Sequence, residues 1–322
     1  MAVLDIIHEL EKALVPLQAS TYLAGASLVL VLYDWLLTLD DEIALVVPTP
    51  RSVVKVLYYL IRAATLIVLL LANYHLAPFR SSLSHTFCRG WLWMILWFQM
   101  AITASSSYLM LRRLCPLYGN DRRINLGLHL AFFITYIIVG ILSIYGASQL
   151  APTMYYSPVV GLCSTLQQDR GKAWGSAIFI GPLAFESIVF LMTAWKAYLS
   201  AVSTSHKTMY NSPLHQIFFR DGLIHYASIM AVRILNIVIY SRMPAAYLYV
   251  ALFLLWATIC VSTTRLFINL RVVARGTDIW VKPDIPILSR FELPQLSRSS
   301  QSANTGNPKI HDIVISVVTE TV

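Results

Sequence analysis

Charge is what this chain lacks. Asp, Glu, Lys and Arg together make up 12% of its 322 residues, against roughly 25% in a soluble globular domain. So little charge cannot cover the surface of a water-soluble fold of this size. Linear catalytic signatures are missing too. There is no phosphate-binding Walker loop, no HExxH and no GxSxG. Histidines stand apart at positions 8, 75, 85, 129, 206, 215, 225 and 311, without carboxylates at metal-ligand spacing. No metal and no cofactor are therefore expected. A retinal Schiff base needs a buried lysine, and none lies mid-stretch in any apolar segment. These gaps lean against an enzyme. They leave room for an intramembrane one, whose ligands converge from several helices.

The chain has apolar length in abundance. It is 57% hydrophobic, with a mean hydropathy of +0.65. Seven stretches reach the roughly 20 residues that cross a bilayer. They are Ser20–Leu39, Val53–Ala72, Trp91–Leu111, Asn125–Ser148, Trp174–Leu199, Ile217–Tyr240 and Tyr247–Leu270. A lone segment in lipid satisfies its own backbone only as a helix. The expected fold is all-α: a polytopic, multi-pass membrane protein, a seven-transmembrane helix bundle in the lipid bilayer.

The organisation follows from these stretches. Residues 1–19 form an N-terminal segment with Ile6, Ile7, Leu10 and Leu14 at helical spacing, read as an amphipathic surface helix. Its Asp5, Glu9 and Glu11 outweigh Lys12, unlike a cleavable leader, so the first span is expected to direct insertion. Residues 20–270 form the bundle. Residues 271–322 form a cytoplasmic tail, polar and largely disordered.

The net charge of +8 suggests nucleic acid in a soluble protein. Here the cations flank apolar stretches, so none is expected. With the N-terminus outside, the inner loops hold Arg51, Lys55, Arg112, Arg113, Arg122, Arg123, Lys196, Lys207 and Arg220. The outer segments hold Lys12, Arg80, Arg89, Arg170, Lys172 and Arg242. Nine cations against six favour N-terminus out and C-terminus in.

In that orientation Cys88 and Cys163 both face the outside, where disulfides persist. A Cys88–Cys163 bridge would tie the loop after span four to the top of span three; the alternative is two unpaired thiols. A bridge would favour the plasma membrane. Cys115 reads as a loop residue or a lipidation site, and Cys260 as packing.

Ionisable residues at membrane depth are costly and face the bundle interior. Asp34 and Arg62, on the first two spans, are read as a structural ion pair or as part of a nearby polar network, and Asp34→Ala is expected to lower folded yield. Glu186, His225, Arg233 and Asn236 are the ligand-cavity candidates. They line a cavity, a proton path or an active site, or else fix helix packing as a second ion pair. No catalytic residue is assigned.

The stretch YDWLLTLDDEIALVVPTPRSVVKVLYYLIRAATL carries an aromatic–acid pair, a Leu-Leu-Thr-Leu run and an acidic cluster, then a basic turn and a helix with Arg62. The motif residues are Tyr33, Asp34, Leu36, Leu37, Thr38, Leu39, Asp40, Asp41 and Glu42, with Arg51, Lys55 and Arg62 after them. The motif resembles the N-terminal signature, here residues 20–67, of a large fungal family of uncharacterised multi-pass membrane proteins that carry a domain of unknown function. The resemblance implies membrane location and fold and no activity. The acidic cluster is expected to pair with Arg112, Arg113, Arg122 or Arg123, or to form a solvated turn.

Seven spans, the orientation and the cysteine placement suggest a receptor-like sensor. The alternative is an intramembrane enzyme or transporter. Span three ends SYLMLRRLCPLYG without Asp-Arg-Tyr, and span seven ends TTRLFINLR without Asn-Pro-x-x-Tyr. The common animal receptor signatures are thus missing. Asp121-Arg122-Arg123, beyond Pro116 and Gly119, is read as loop. A cytoplasmic signalling partner would meet the inner loops and tail.

Overall fold

A computed structural model of the chain describes residues 2–77, 83–119, 121–157, 162–165, 168–202, 213–243, 247 and 249–281. Seven long helices carry apolar spans of membrane-crossing length. They are α1 (Ala2–Asp41), α2 (Val53–Leu76), α3 (His85–Leu117), α4 (Arg122–Leu150), α5 (Gln168–Val202), α6 (Pro213–Arg242) and α7 (Leu252–Val281). A short hairpin joins α4 to α5, with β1 (Met154–Ser157) antiparallel to β2 (Leu162–Thr165). The chain is an all-α polytopic bundle.

Each helix packs on the next, and α1 closes the ring against α7. In the most apolar window of α7, 67% of the residues are buried; in α1 and α4 the figure is 28%. The ring is therefore uneven. α7 is a central element, while α1 and α4 turn most of their apolar surface outward, as lipid-facing helices do. Trp256 of α7 is fully buried and donates its indole N–H to Gln99 of α3. A buried indole needs such a partner.

Helix ends follow local rules. Ser52 and Ser84 cap α2 and α3, accepting from the backbone N–H groups of Lys55 and Phe87. Gly119 ends α3 at φ +68°, a left-handed conformation natural to glycine, and its N–H donates to the Pro116 carbonyl at 2.9 Å. Asp121 caps α4 by accepting from Arg123 N–H at 3.0 Å. The Asp121–Arg123 run is thus a helix start, not loop. Cys115 is buried within α3 rather than in a loop. α1 runs unbroken from Ala2 through Pro16, and α7 continues past Leu270 to Val281. The rest of the tail, from Lys282 on, lies outside the described residues.

α4 packs tightly on α5. A Cβ added to Gly181 would meet Val139 Cγ2 at 2.5 Å. Small residues permit this approach where apolar lipid gives helices no hydrophobic drive to associate.

Candidate functional site

Three features concentrate the polar chemistry. The first begins on α1, where Asp34, Thr38 and Glu42 recur at intervals of four. That spacing puts them on one helical face, and all three are buried. Tyr33, Leu36, Leu37 and Leu39, on the other faces, are exposed. After Asp41 the helix widens into a π turn, Glu42–Val46, closed by Val47 N–H donating to the Glu42 carbonyl at 3.1 Å. π turns are rare and recur at functional sites.

Arg62 of α2 forms an ion pair with Glu42 and donates to Thr38 Oγ1 at 2.6 Å and Tyr58 Oη at 2.7 Å. Its guanidinium also lies 5.6 Å from the Trp35 ring centroid, within cation–π range. Asp34 instead accepts from Arg265 Nε of α7 at 2.6 Å. The expected Asp34–Arg62 pair is therefore corrected. The two side chains are exchanged between partners and linked through Thr38, whose hydroxyl donates to the Asp34 carbonyl at 2.8 Å. The expected pairing of the acidic cluster with Arg112, Arg113, Arg122 or Arg123 is also corrected. Glu42 turns inward to Arg62, while Asp40 and Asp41 stay exposed. Two further cations close this end of α1, whose carbonyls attract positive charge. Arg271 Nη1 donates to the Leu45 carbonyl at 2.8 Å and Thr49 Oγ1 at 2.7 Å. Lys55 Nζ donates to the Val47 and Thr49 carbonyls at 2.9 and 2.8 Å.

The second feature is a four-helix network. Arg233 of α6 meets Glu186 of α5 with two hydrogen bonds, Nε to Oε2 at 2.9 Å and Nη2 to Oε1 at 2.7 Å. Ser107 of α3 also donates to Glu186 Oε1 at 2.9 Å, and Tyr136 of α4 donates to Ser107 Oγ at 2.8 Å. The two charged side chains are 0% and 2% exposed. A bidentate guanidinium–carboxylate pair is the strong geometry for a buried ion pair. Both carboxylate oxygens are engaged, so the group is an anchor rather than a free base.

The other two candidates sit apart. The Asn236 amide donates to the Val232 and Ala251 carbonyls at 2.9 and 3.1 Å, tying α6 to the start of α7. His225 is buried two turns before Arg233. Sequence reasoning missed Ser107, Tyr136, Tyr58 and Arg265. The run Ser105-Ser106-Ser107 inside an apolar helix was the available signal. Among the described residues, no three His, Cys, Asp or Glu side chains converge as a metal site.

The third feature is the hairpin end. Cys88 of α3 and Cys163 of β2 form a disulfide, with Cα atoms 5.3 Å apart. Tyr156 of β1 donates its N–H to His85 Nδ1 at 3.3 Å. The hairpin is thus fastened to the first turn of α3. At the far end, Tyr118 donates its hydroxyl to the Met192 carbonyl of α5 at 3.0 Å. Burial raises the pKa of that phenol above its ordinary value, as desolvation does for any acid.

A seven-helix membrane protein with two buried charge networks is the class this architecture defines. Residues 22–67 match the model of a family described as a family of unknown function, DUF6533. The matched segment contains α1's charged face, the π turn and Arg62, so most of the first network lies inside it. No curated protein matches the chain.

Proposed function

We propose that this is a receptor-like seven-helix sensor of the plasma membrane, with its N-terminus outside and its C-terminus in the cytoplasm. One observation carries the reading: a single dry ion pair, Glu186–Arg233, joins α5 to α6 and reaches α3 and α4 through Ser107 and Tyr136. A sensor needs an element that can be joined in one state and parted in another, and a buried ion pair between helices suits that role. The hairpin end is covalently tied to α3, which favours it as the fixed, ligand-facing side. The far end carries the inner-loop cations, and a signalling partner would meet the loops and tail there.

A second reading, a transporter or intramembrane enzyme, draws on different atoms. Arg233 Nη1 and Asn236 Oδ1 are buried without a hydrogen-bond partner among the described residues. Buried polar groups normally have partners, so a small polar ligand would suit them.

Spin labels separate the readings. One pair, on Gly127→Cys and Ile224→Cys, reports the far end. Another, on Gly90→Cys and Ser241→Cys, reports the hairpin end. All four positions are exposed. Glu186→Gln parts the pair. A sensor widens the α4–α6 distance at the far end and leaves the hairpin end fixed. A transporter moves both ends in opposite senses. Unchanged distances at both ends would mean that the pair only fixes packing, and the sensor reading would be lost.

A further inference from the structure

A small cleft, open at its mouth, lies at the far end of the bundle. Arg113 and Leu117 of α3, Thr193 of α5, Gly222 and Tyr226 of α6, and Leu266 of α7 all line it. Leu117 is the last residue of α3 and of its apolar span. The pocket therefore sits at the level of lipid headgroups, where a hydrocarbon core gives way to the polar interface.

Arg113 makes this pocket unusual. Among the described residues the ion pairs are Arg62–Glu42, Arg233–Glu186 and Arg265–Asp34, and Arg113 is in none of them. Its guanidinium sits within electrostatic reach of Tyr226 and His225, neither of which supplies a carboxylate. Leaving a partly buried cation without an anion is costly. Among the described side chains the other charges nearby are cations too. Lys196 of α5 is another cation, 5.0 Å from the Tyr118 ring centroid, and Arg112 adjoins Arg113 in the chain.

The geometry points to a binding site for the phosphate headgroup of an anionic membrane lipid, with Arg113 as its phosphate anchor. A guanidinium grips two phosphate oxygens at once. The leucine walls suit the glycerol and first acyl carbons. The pocket is far too small for a helix of a partner protein, and its open mouth leaves a headgroup outside the walls with only its phosphate against Arg113. Depth in the membrane selects a lipid over a free anion. The site is independent of the sensor reading, since it uses neither Glu186 nor Arg233.

The test is native mass spectrometry of the full chain in neutral detergent with added dioleoyl phosphatidic acid. Phosphatidylcholine serves as the zwitterionic control. The wild type should retain phosphatidic acid over phosphatidylcholine. Arg113→Gln should lower retention about ten-fold, as loss of a charge-assisted pair does. Arg113→Lys should keep part of it, and Arg122→Gln, removing a cation on α4, should leave it unchanged. Equal retention by Arg113→Gln, or an equal loss in Arg122→Gln, overturns the site. So does full competition by soluble glycerol 3-phosphate at equal concentration, which would make the ligand a free phosphate. Displacement of the lipid by an acidic peptide overturns it in favour of a protein partner. Should Arg113→Gln fail to fold, a diazirine phosphatidic acid on the wild type decides. Labelling of the segments 113–117 or 222–226 supports the site, and labelling confined to other segments sinks it.

Discussion

The two buried charge networks solve the same problem in opposite ways. The α1–α2–α7 network spreads two acids over two cations, stands beside a π turn, and lets one cation, Arg265, remain 54% exposed. The α3–α4–α5–α6 network holds one acid and one cation, both sealed from solvent. A cation on the bundle surface can extend to the headgroups on its long stem, so losing its acid costs little. A sealed network strands a charge. Location and exposure, more than the number of hydrogen bonds, set the consequence of breaking each.

The sharpest contrast comes from Arg233→Met. It leaves Glu186 buried and unpaired and should cost about 3–5 kcal/mol, the range for breaking a buried pair from one side. Thermal unfolding in detergent measures it. The double variant Glu186→Gln with Arg233→Met should recover most of that loss, because no charge is then stranded. A double variant no better than the single would show that the lost hydrogen bonds, not the stranded charge, dominate.

The disulfide serves the same helices from outside the network. Cys88→Ser with Cys163→Ser frees a hairpin held across 75 residues of chain and should cost about 2–4 kcal/mol. Melting of the double variant beside the reduced wild type checks it. If the two networks are energetically separate, this loss adds to that of Arg62→Met and couples only to changes at Glu186 or Arg233.

Arg62→Met probes the first network at the buried cation of its two ion pairs. Glu42 loses its partner, and Thr38 and Tyr58 each lose a donor. Glu42 lies at the end of the span, so water and headgroups reach it more readily than Glu186. A loss of about 2–3 kcal/mol is expected, smaller than for Arg233→Met. A loss equal to or larger than that of Arg233→Met would reverse the comparison.

How much of this was legible in sequence differs between the networks in an instructive way. Seven spans were readable because lipid imposes length and apolarity on each segment separately. The charged residues were readable too, since charge is rare in such segments. Their partners were not. Spans one and two are adjacent, which suggested Asp34–Arg62, but Glu42, two turns further along the same face, takes Arg62 and leaves Asp34 to Arg265 of α7. Arg265 is 231 positions from Asp34, and only the closing of the ring between α1 and α7 joins them. Glu186 and Arg233 stood at mid-span on consecutive helices and were read together. Ser107 and Tyr136 carry no charge and gave no comparable signal.

The smallest effect sharpens the comparison most. The sequence alone suggested that losing Asp34 would strand Arg62. In the structure Asp34 faces Arg265, whose side chain is half exposed. Asp34→Asn keeps the shape and strands nothing, because Arg265 reaches the interface on its long stem. The expected cost is about 1 kcal/mol or less, the range for an ion pair with an exposed partner. The reverse variant, Arg265→Gln, leaves the buried Asp34 carboxylate without its cation and should cost more. The two melting temperatures form a direct test. If Asp34→Asn destabilises as much as Arg265→Gln, exposure of the partner does not set the consequence, and the contrast between the two networks loses its physical basis.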